Sequence, residues 1–342
     1  MKAVKLTGPR KLELVEEQEP RPGGDNAVIR VSACGICGSD LHYWEMGTGM
    51  DGEPGLIPGH EFCGIVEDPG PAKDLNPGDR VTYIPLNPCG QCSMCKRDLR
   101  HLCPAAFRRM VPGNNAPGAF AEKVGGRADM FRKIPDSMSD EEACLVEPAA
   151  VALHAVRQAG VSIGDKVLVM GGGAIGLLCA AWTKAAGAGF AGICEINPGR
   201  IENARSMQFV DEVFDAGGKK LKRNLKQASD GGFDSVLETS AAEAGIAAAV
   251  SALLPRGTLI LAGISFVPQT VSTLMLTSKE LAVKGSMAYS VEEFETALEF
   301  IASKRLEARG LINRVLGFGD LWQAFEELDK GNADIVKAVV RP

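Results

Sequence analysis

The segment VLVMGGGAIGLL, residues 167–178, limits the architecture more than any other stretch of the 342-residue chain. Lys166 to Met170 reads as a buried-strand run, and a helical pattern runs from about Ala174 to Ala186. Between them, Gly171, Gly173 and Gly176 form G-x-G-x-x-G. Gly171 permits a tight turn, Gly173 lets backbone approach a pyrophosphate, and Gly176 lets helix and strand pack closely. The pyrophosphate of a dinucleotide would then lie on the helix start, at Ala174, Ile175 and Gly176. Strand before and helix after are the context that separates this motif from a plain glycine turn.

Strand and helix signals continue to alternate beyond it. Phe190–Glu195, Phe233–Glu238 and Gly257–Gly263 read as strands, and Ala241–Leu254 as a helix. Such alternation predicts an α/β domain with a doubly wound parallel sheet. Glu195 ends the second strand, 19 residues after Gly176. A carboxylate there accepts the ribose hydroxyls and repels a 2′-phosphate, so NAD is expected over NADP. Arg200 and Gly263 join the candidate cofactor surface; a solvated helix position is the plainer reading of Arg200.

The first half reads differently. It is rich in Gly, Pro and Cys, with short strand-like runs in AVIRVSACGI, GIVEDPG and NPGDRVTYIP. The pattern changes near Glu147, where a helix from Ala150 is expected to end at Gly160. After about Met287 come two amphipathic helices, one carrying Phe294, Leu298 and Ile301, and then a final strand in IVKAVVRP. The expected division is a mostly-β domain at 1–152, the dinucleotide domain at 153–287, and a C-terminal segment at 288–342.

Ten cysteines accompany this pattern. The first residues lack the apolar core of a signal peptide, and no apolar run reaches membrane-spanning length, so a cytoplasmic address is expected. The formal net charge of −6 is read against nucleic acid or an anionic membrane as partner. In a reducing compartment, clustered cysteines point to metal rather than disulfides. Cys89, Cys92, Cys95 and Cys103 can close around one tetrahedral ion within a lobe at about 88–104, a filled and therefore structural site. A second, dispersed set comprises Cys37, Ser39, Asp40 and His42, then His60 and Glu61, then Glu147. Cys37, His60 and a carboxylate offer mixed S, N and O ligation with a position left open, as a catalytic zinc requires. Asp40 is placed to accept the other ring N–H of His60. Cys34, Cys63, Cys144, Cys179 and Cys194 read as small buried residues.

Taken together, these segments resemble the zinc-containing branch of the medium-chain dehydrogenase/reductase superfamily over essentially the whole chain. GICGSDLHYW, PGHEFCGIV, the four-cysteine lobe, LVEPAAVALHAV and GGGAIGLL occur in that family's order. Within the branch the chain is most similar to sorbitol (polyol) dehydrogenases and their threonine and butanediol dehydrogenase relatives. The ordinary alcohol dehydrogenases place a cysteine where Glu147 stands. The resemblance implies a GroES-like catalytic domain and a Rossmann domain, with the active site between them and the C-terminal segment returning to the first. It implies Cys37 and His60 as zinc ligands, Glu61 as a ligand or one that exchanges with water, and Glu147 as a ligand or the holder of a water. Tyr43 matches a substrate-pocket tyrosine, and tetramers are frequent among similar bacterial enzymes, a dimer being the alternative. The polyol group's Arg-Tyr pair is absent: KGSMAYS has Ala288 before Tyr289, so sorbitol itself is not implied.

The expected chemistry is oxidation of a secondary alcohol, a small-molecule substrate, with one catalytic zinc, one structural zinc and NAD. The alcohol's proton would leave through Ser39 and His42. Capping of local backbone is the alternative role for that pair. Amino-alcohol and vicinal-diol oxidation compete within the same chemistry. Three other readings compete with it: a sensory NAD-binding protein with structural zinc alone, a zinc-lobe interaction module, and a zinc-free reductase. Two zinc ions per chain would mark the enzyme, and one the sensor.

Overall fold

A computed structural model of the chain describes residues 1–332 and 335–342. Two compact units emerge. The first joins Met1–Glu147 with Ser290–Lys304 and Ile312–Pro342; the second joins Pro148–Tyr289 with Arg305–Leu311. The sequence boundaries at 152 and 287 thus fall at 147 and 289, and residues 305–311 pack with the second unit rather than with the C-terminal return.

The first unit is built around a sheet whose order runs Ile312–Gly317, Lys337–Arg341, Asn26–Gly35, Glu61–Asp68, Arg80–Tyr83 and Phe131–Lys133, with Lys123–Arg127 also paired to Asn26–Gly35. Two registers matter for chemistry. Asn26–Gly35 and Glu61–Asp68 are antiparallel with Gly35 opposite Glu61. The chain leaving one strand therefore lies beside the chain entering the other, and Cys37 meets His60. The last strand is antiparallel to Asn26–Gly35 with Val339 opposite Gly35, and Ile36 N donates to Ala338 O at 3.0 Å. That register carries Lys337 to the same spot.

The second unit is a six-stranded, all-parallel sheet ordered Glu212–Asp215, Phe190–Glu195, Lys166–Met170, Phe233–Glu238, Leu253–Leu261 and Ala282–Gly285. The strand order reverses between Lys166–Met170 and Phe233–Glu238, the switch point where such sheets bind ligands. Central strands such as KVLVM are apolar and buried after their first residue because helices cover both faces. The helix Val146–Ala159 stops at Gly160, whose φ of 72° suits the left-handed C-terminal position. In the first unit, Val291–Ala302 starts with a reciprocal cap, Ser290 N donating to Glu293 Oε2 at 2.8 Å and Glu293 N to Ser290 Oγ at 3.1 Å.

Two expectations need correction. The strand expected at Gly257–Gly263 begins at Leu253 and ends at Leu261, and the helix before it spans Glu243–Ala252. No breaker separates helix from strand, and Pro255, Arg256 (φ 64°) and Gly257 are absorbed by a register shift between Phe233 and Ser235. The net charge also misdescribes one face. Lys219, Lys220, Lys222, Arg223 and Lys226 lie around the exposed side of the helix Leu221–Ala228, so this acidic chain carries a locally basic surface. No helix among the described residues is long and apolar enough to cross a membrane.

Candidate active site

Cys37 caps the helix Gly38–Met46 from an extended conformation. Its backbone N–H donates to Asp40 Oδ2 at 2.8 Å, while Asp40 Oδ1 accepts from Gly59 N at 3.2 Å. One buried carboxylate thus ties together the two loops that carry Cys37 and His60. Ligand atoms of Cys37, His60 and Glu61 all lie within 4.8 Å of one another. The expected bond from His60 to Asp40 is not made: Nδ1 lies 3.6 Å from Asp40 Oδ1, too long for a hydrogen bond, and this buried nitrogen has no partner. Burial opposes a charge on His60, but the fields of Cys37 and Asp40 outweigh it and raise its pKa well above the usual value. Cys37, His60 and Glu61 bring their ligand atoms within 4.8 Å of one another, and this S, N and O donor set fits zinc.

Glu147 is buried in the first turn of Val146–Ala159, outside that three-residue group. Ser39 and His42 are half-buried, one turn apart on Gly38–Met46, and His42 Nδ1 lies 3.7 Å from Glu45 Oε2. Tyr43 is buried and donates its hydroxyl to Asn114 Oδ1 at 3.2 Å; burial pushes its pKa up to about 12.

Sequence reasoning missed Asn114 and Lys337. Lys337 is buried and ion-paired with the equally buried Glu61, and Nζ also donates to Ile36 O at 2.9 Å. Burial opposes its charge, but Glu61 and Cys37, with Glu147 behind them, raise its pKa. Removing one member of such a pair costs about 3–5 kcal/mol, since an uncompensated charge remains. The sequence held a signal: read as a strand, IVKAVVRP sets Lys337 on the same side as Ile335 and Val339, the one charge among apolar neighbours.

The four-cysteine lobe closes as its spacing predicts. Cys92 Sγ lies 3.5 Å from Cys95 Sγ, and Cys89 Sγ is 3.6 Å from Cys103 Sγ and 4.0 Å from Cys95 Sγ. Backbone N–H groups of Gln91 and Cys92 stabilise the Cys89 thiolate and lower its pKa to about 6. Cys95 is pushed up to about 11, first by burial. All ten cysteines are free of disulfides, and Cys34, Cys63, Cys144, Cys179 and Cys194 are buried.

In the second unit, Gly173 caps the helix Ala174–Ala185, and the first helical bond runs from Leu177 N to Gly173 O at 2.9 Å. The N–H groups of Ala174, Ile175 and Gly176 are therefore left for a ligand. A Cβ on Gly176 would collide with Gly171 O, one on Gly171 would lie 2.8 Å from Thr239 Oγ1, and one on Gly173 would meet nothing within 4 Å. Close packing at one glycine and open space at another is what a pyrophosphate cradle needs. Glu195 is buried, accepting from Gly172 N at 2.7 Å and from Ile196 N and Asn197 N at 2.7 and 2.9 Å. Arg200 is half-buried on Pro198–Arg205, and Gly263 N donates to Glu238 O at 2.9 Å.

Residues 23–136 match the alcohol dehydrogenase GroES-like domain, and residues 174–303 match the zinc-binding dehydrogenase family. A probable D-xylulose reductase A of Arthroderma otae is 33% identical over 337 residues, 95% of this chain and 93% of that protein. Human sorbitol dehydrogenase is 31% identical over 330 residues, 95% and 91% of the two chains. Among solved structures, 2R,3R-butanediol dehydrogenase from Bacillus subtilis superposes with a TM-score of 0.89 at 28% identity, covering 100% of this chain and 99% of that one. Galactitol-1-phosphate dehydrogenase from Escherichia coli gives 0.90 at 26% identity, covering all of both. With two domain matches in order and relatives above 30% identity along nearly its whole length, the chain belongs to the zinc-binding dehydrogenase family.

Proposed function

We propose that the protein oxidises a secondary alcohol of polyol type to the ketone, with zinc and NAD. The observation that carries this reading is the clustering of Cys37, His60 and Glu61 ligand atoms within 4.8 Å. Cys37 and His60 would hold the catalytic ion, with Glu61 within reach, and Cys89, Cys92, Cys95 and Cys103 a structural one. Bound zinc supplies Lewis acidity, which lets an alcohol hydroxyl release its proton near neutral pH. Ser39, two residues after Cys37 in the first turn of the helix, would take that proton, and half-buried His42 would pass it to water. Buried Tyr43, fixed by Asn114, shapes one wall of the substrate site and stays protonated. In the second unit the free amides at Ala174–Gly176 hold the pyrophosphate, and Glu195 accepts the ribose hydroxyls, which favours NAD over NADP. The relatives named for xylulose, sorbitol, butanediol and galactitol phosphate support a substrate carrying several oxygens. The reading includes a homo-oligomer and a cytoplasmic address; ten free thiols suit a reducing compartment.

The test is a panel of polyols, vicinal diols, amino alcohols and sugar alcohol phosphates, assayed with NAD and NADP on zinc-replete protein. Turnover is expected on at least one polyol-type secondary alcohol. Cys37→Ala should abolish that turnover, by at least about 10³-fold, while NAD binding stays within about twofold. Full turnover by a Cys37→Ala protein lacking metal at this site would reject the reading.

A further inference from the structure

One amide beside the ligand cluster has a donor to spare. Asn114 is 7% exposed, and its Oδ1 accepts the Tyr43 hydroxyl at 3.2 Å. Among the described residues no acceptor meets its Nδ2, and this nitrogen is not sealed from solvent. Its neighbour differs. Asn115 Oδ1 accepts from Val111 N at 2.8 Å and its Nδ2 donates to Phe107 O at 3.2 Å, so both ends of that amide serve the loop. A largely buried amide with an unused donor is costly unless a ligand meets it.

The fold fixes where this amide stands. Gly118 N donates to Ile57 O and Ala119 N to Gly59 O, both at 2.8 Å. Gly113 has a φ of 79°, and a Cβ there would collide with Gly59 O and lie 2.9 Å from His60 N. Residues 113–119 therefore press on the turn that carries His60. On the other side, Met50 N donates to Asn114 O at 2.9 Å, and Tyr43 stands on the helix that Cys37 caps. After burial, the fields of His60, Asp40 and Cys37 bear most on the Tyr43 hydroxyl. Asn114 is thus held between the two segments that supply Cys37 and His60.

We propose that Asn114 is a specificity-determining residue: its Nδ2 donates to a substrate hydroxyl next to the one being oxidised, so the site selects vicinal diols over simple secondary alcohols. This deepens the functional reading above and rests on it. Tyr43 sets the direction of the amide. By donating to Oδ1, its hydroxyl fixes which end accepts and leaves Nδ2 for a ligand. A simple alcohol brings no oxygen to that nitrogen and leaves it unpaired. Sites built to hydrogen-bond a substrate group reject analogues that lack it in this way.

The experiment uses the zinc-replete, full-length protein. It compares the vicinal diol turned over best with its analogue lacking the neighbouring hydroxyl, such as 2,3-butanediol with 2-butanol. Two quantities are read: the ratio of kcat/KM for diol over simple alcohol, and the calorimetric affinity of the enzyme–NADH complex for the diol, which involves no turnover. Asn114→Leu keeps the volume and removes the donor; Asn114→Ala repeats the test should the leucine disturb the fold. The ratio should fall by about tenfold or more, and diol binding should weaken by a similar factor. Tyr43→Phe breaks the same contact but keeps the donor, so it should lower the ratio by no more than about threefold. An unchanged ratio in a folded Asn114 variant overturns the proposal, as does a loss that falls equally on both alcohols. So does Tyr43→Phe lowering the ratio as far as Asn114→Leu, since the contact and not the donor would then matter. A parent that oxidises secondary alcohols but no vicinal diol overturns the proposal and leaves the functional reading standing. A parent that oxidises no alcohol of the panel overturns both.

Discussion

At the end of the strand Phe190–Glu195, one carboxylate has its orientation fixed before any ligand arrives. Three backbone N–H groups hold Glu195, one from the glycine loop and two from the turn that follows the strand. A fixed charge needs no reorganisation to favour a ribose diol, and it repels a phosphate at the same place. Two unit charges about 4 Å apart at an effective dielectric near 20 interact by about 4 kcal/mol, ample to decide a cofactor preference. Glu195→Gln keeps the shape and removes the charge. The ratio of kcat/KM for NAD over NADP should fall by about tenfold or more, and an unmoved ratio would take Glu195 out of the account. The placement of Glu195 beside the glycine loop was legible in the sequence because it depends on spacing within some 25 residues. Lys337 was not, since its partner Glu61 lies 276 positions away and only strand register brings them together. The gap at His60 Nδ1 escaped for a related reason: the right residue types do not fix a distance to a few tenths of an ångström.

The same contrast holds for whole elements. Strands bounded by glycine turns, such as Lys166–Met170 and Phe190–Glu195, were read to the residue, whereas Leu253–Leu261 was misplaced because helix passes into strand without a break. The cysteine lobe is the element whose existence was plainest, and its stability has an unusual source. The helix Ser93–Lys96 buries none of its side chains. An element without an apolar face gains little from packing, so we expect an ion bound by the four sulfurs to order it, much as metal binding folds small zinc domains. Cys95→Ser should therefore reduce metal to one ion per chain and speed amide hydrogen exchange across 89–103 by at least about 100-fold. Exchange in the parallel sheet of the second unit should change little. A lobe that keeps its protection without its metal would show that packing, not the ion, orders it.

In the second unit, exposed apolar residues concentrate in the stretch of chain that leads to and follows one edge strand of the sheet. All four residues of Ala282–Gly285 are exposed, and among the described residues this strand pairs with Leu253–Leu261 alone. Ile264, Phe266, Val267, Leu274, Val283 and Met287 are exposed along the same stretch of chain, with Phe266 and Leu274 each 75% accessible. The one charge on this strand, Lys284, turns its ammonium onto Gln158 O at 2.9 Å, and an unpaired edge near exposed apolar side chains is a surface that proteins commonly cover. A second copy is the simplest cover, because an edge strand pairs antiparallel with itself about a two-fold axis and both copies then bury the same residues. Stable association needs about 800 Å² from each partner, more than the four-residue strand supplies, so the flanking apolar side chains must take part. The protein should sediment as a dimer or tetramer at micromolar concentration. Val283→Lys combined with Phe266→Glu, which places charges on the edge and in the patch, should shift it to monomer and keep the far-ultraviolet circular dichroism of the parent. A parent chain that runs as a monomer under these conditions would leave the exposed edge to some other partner.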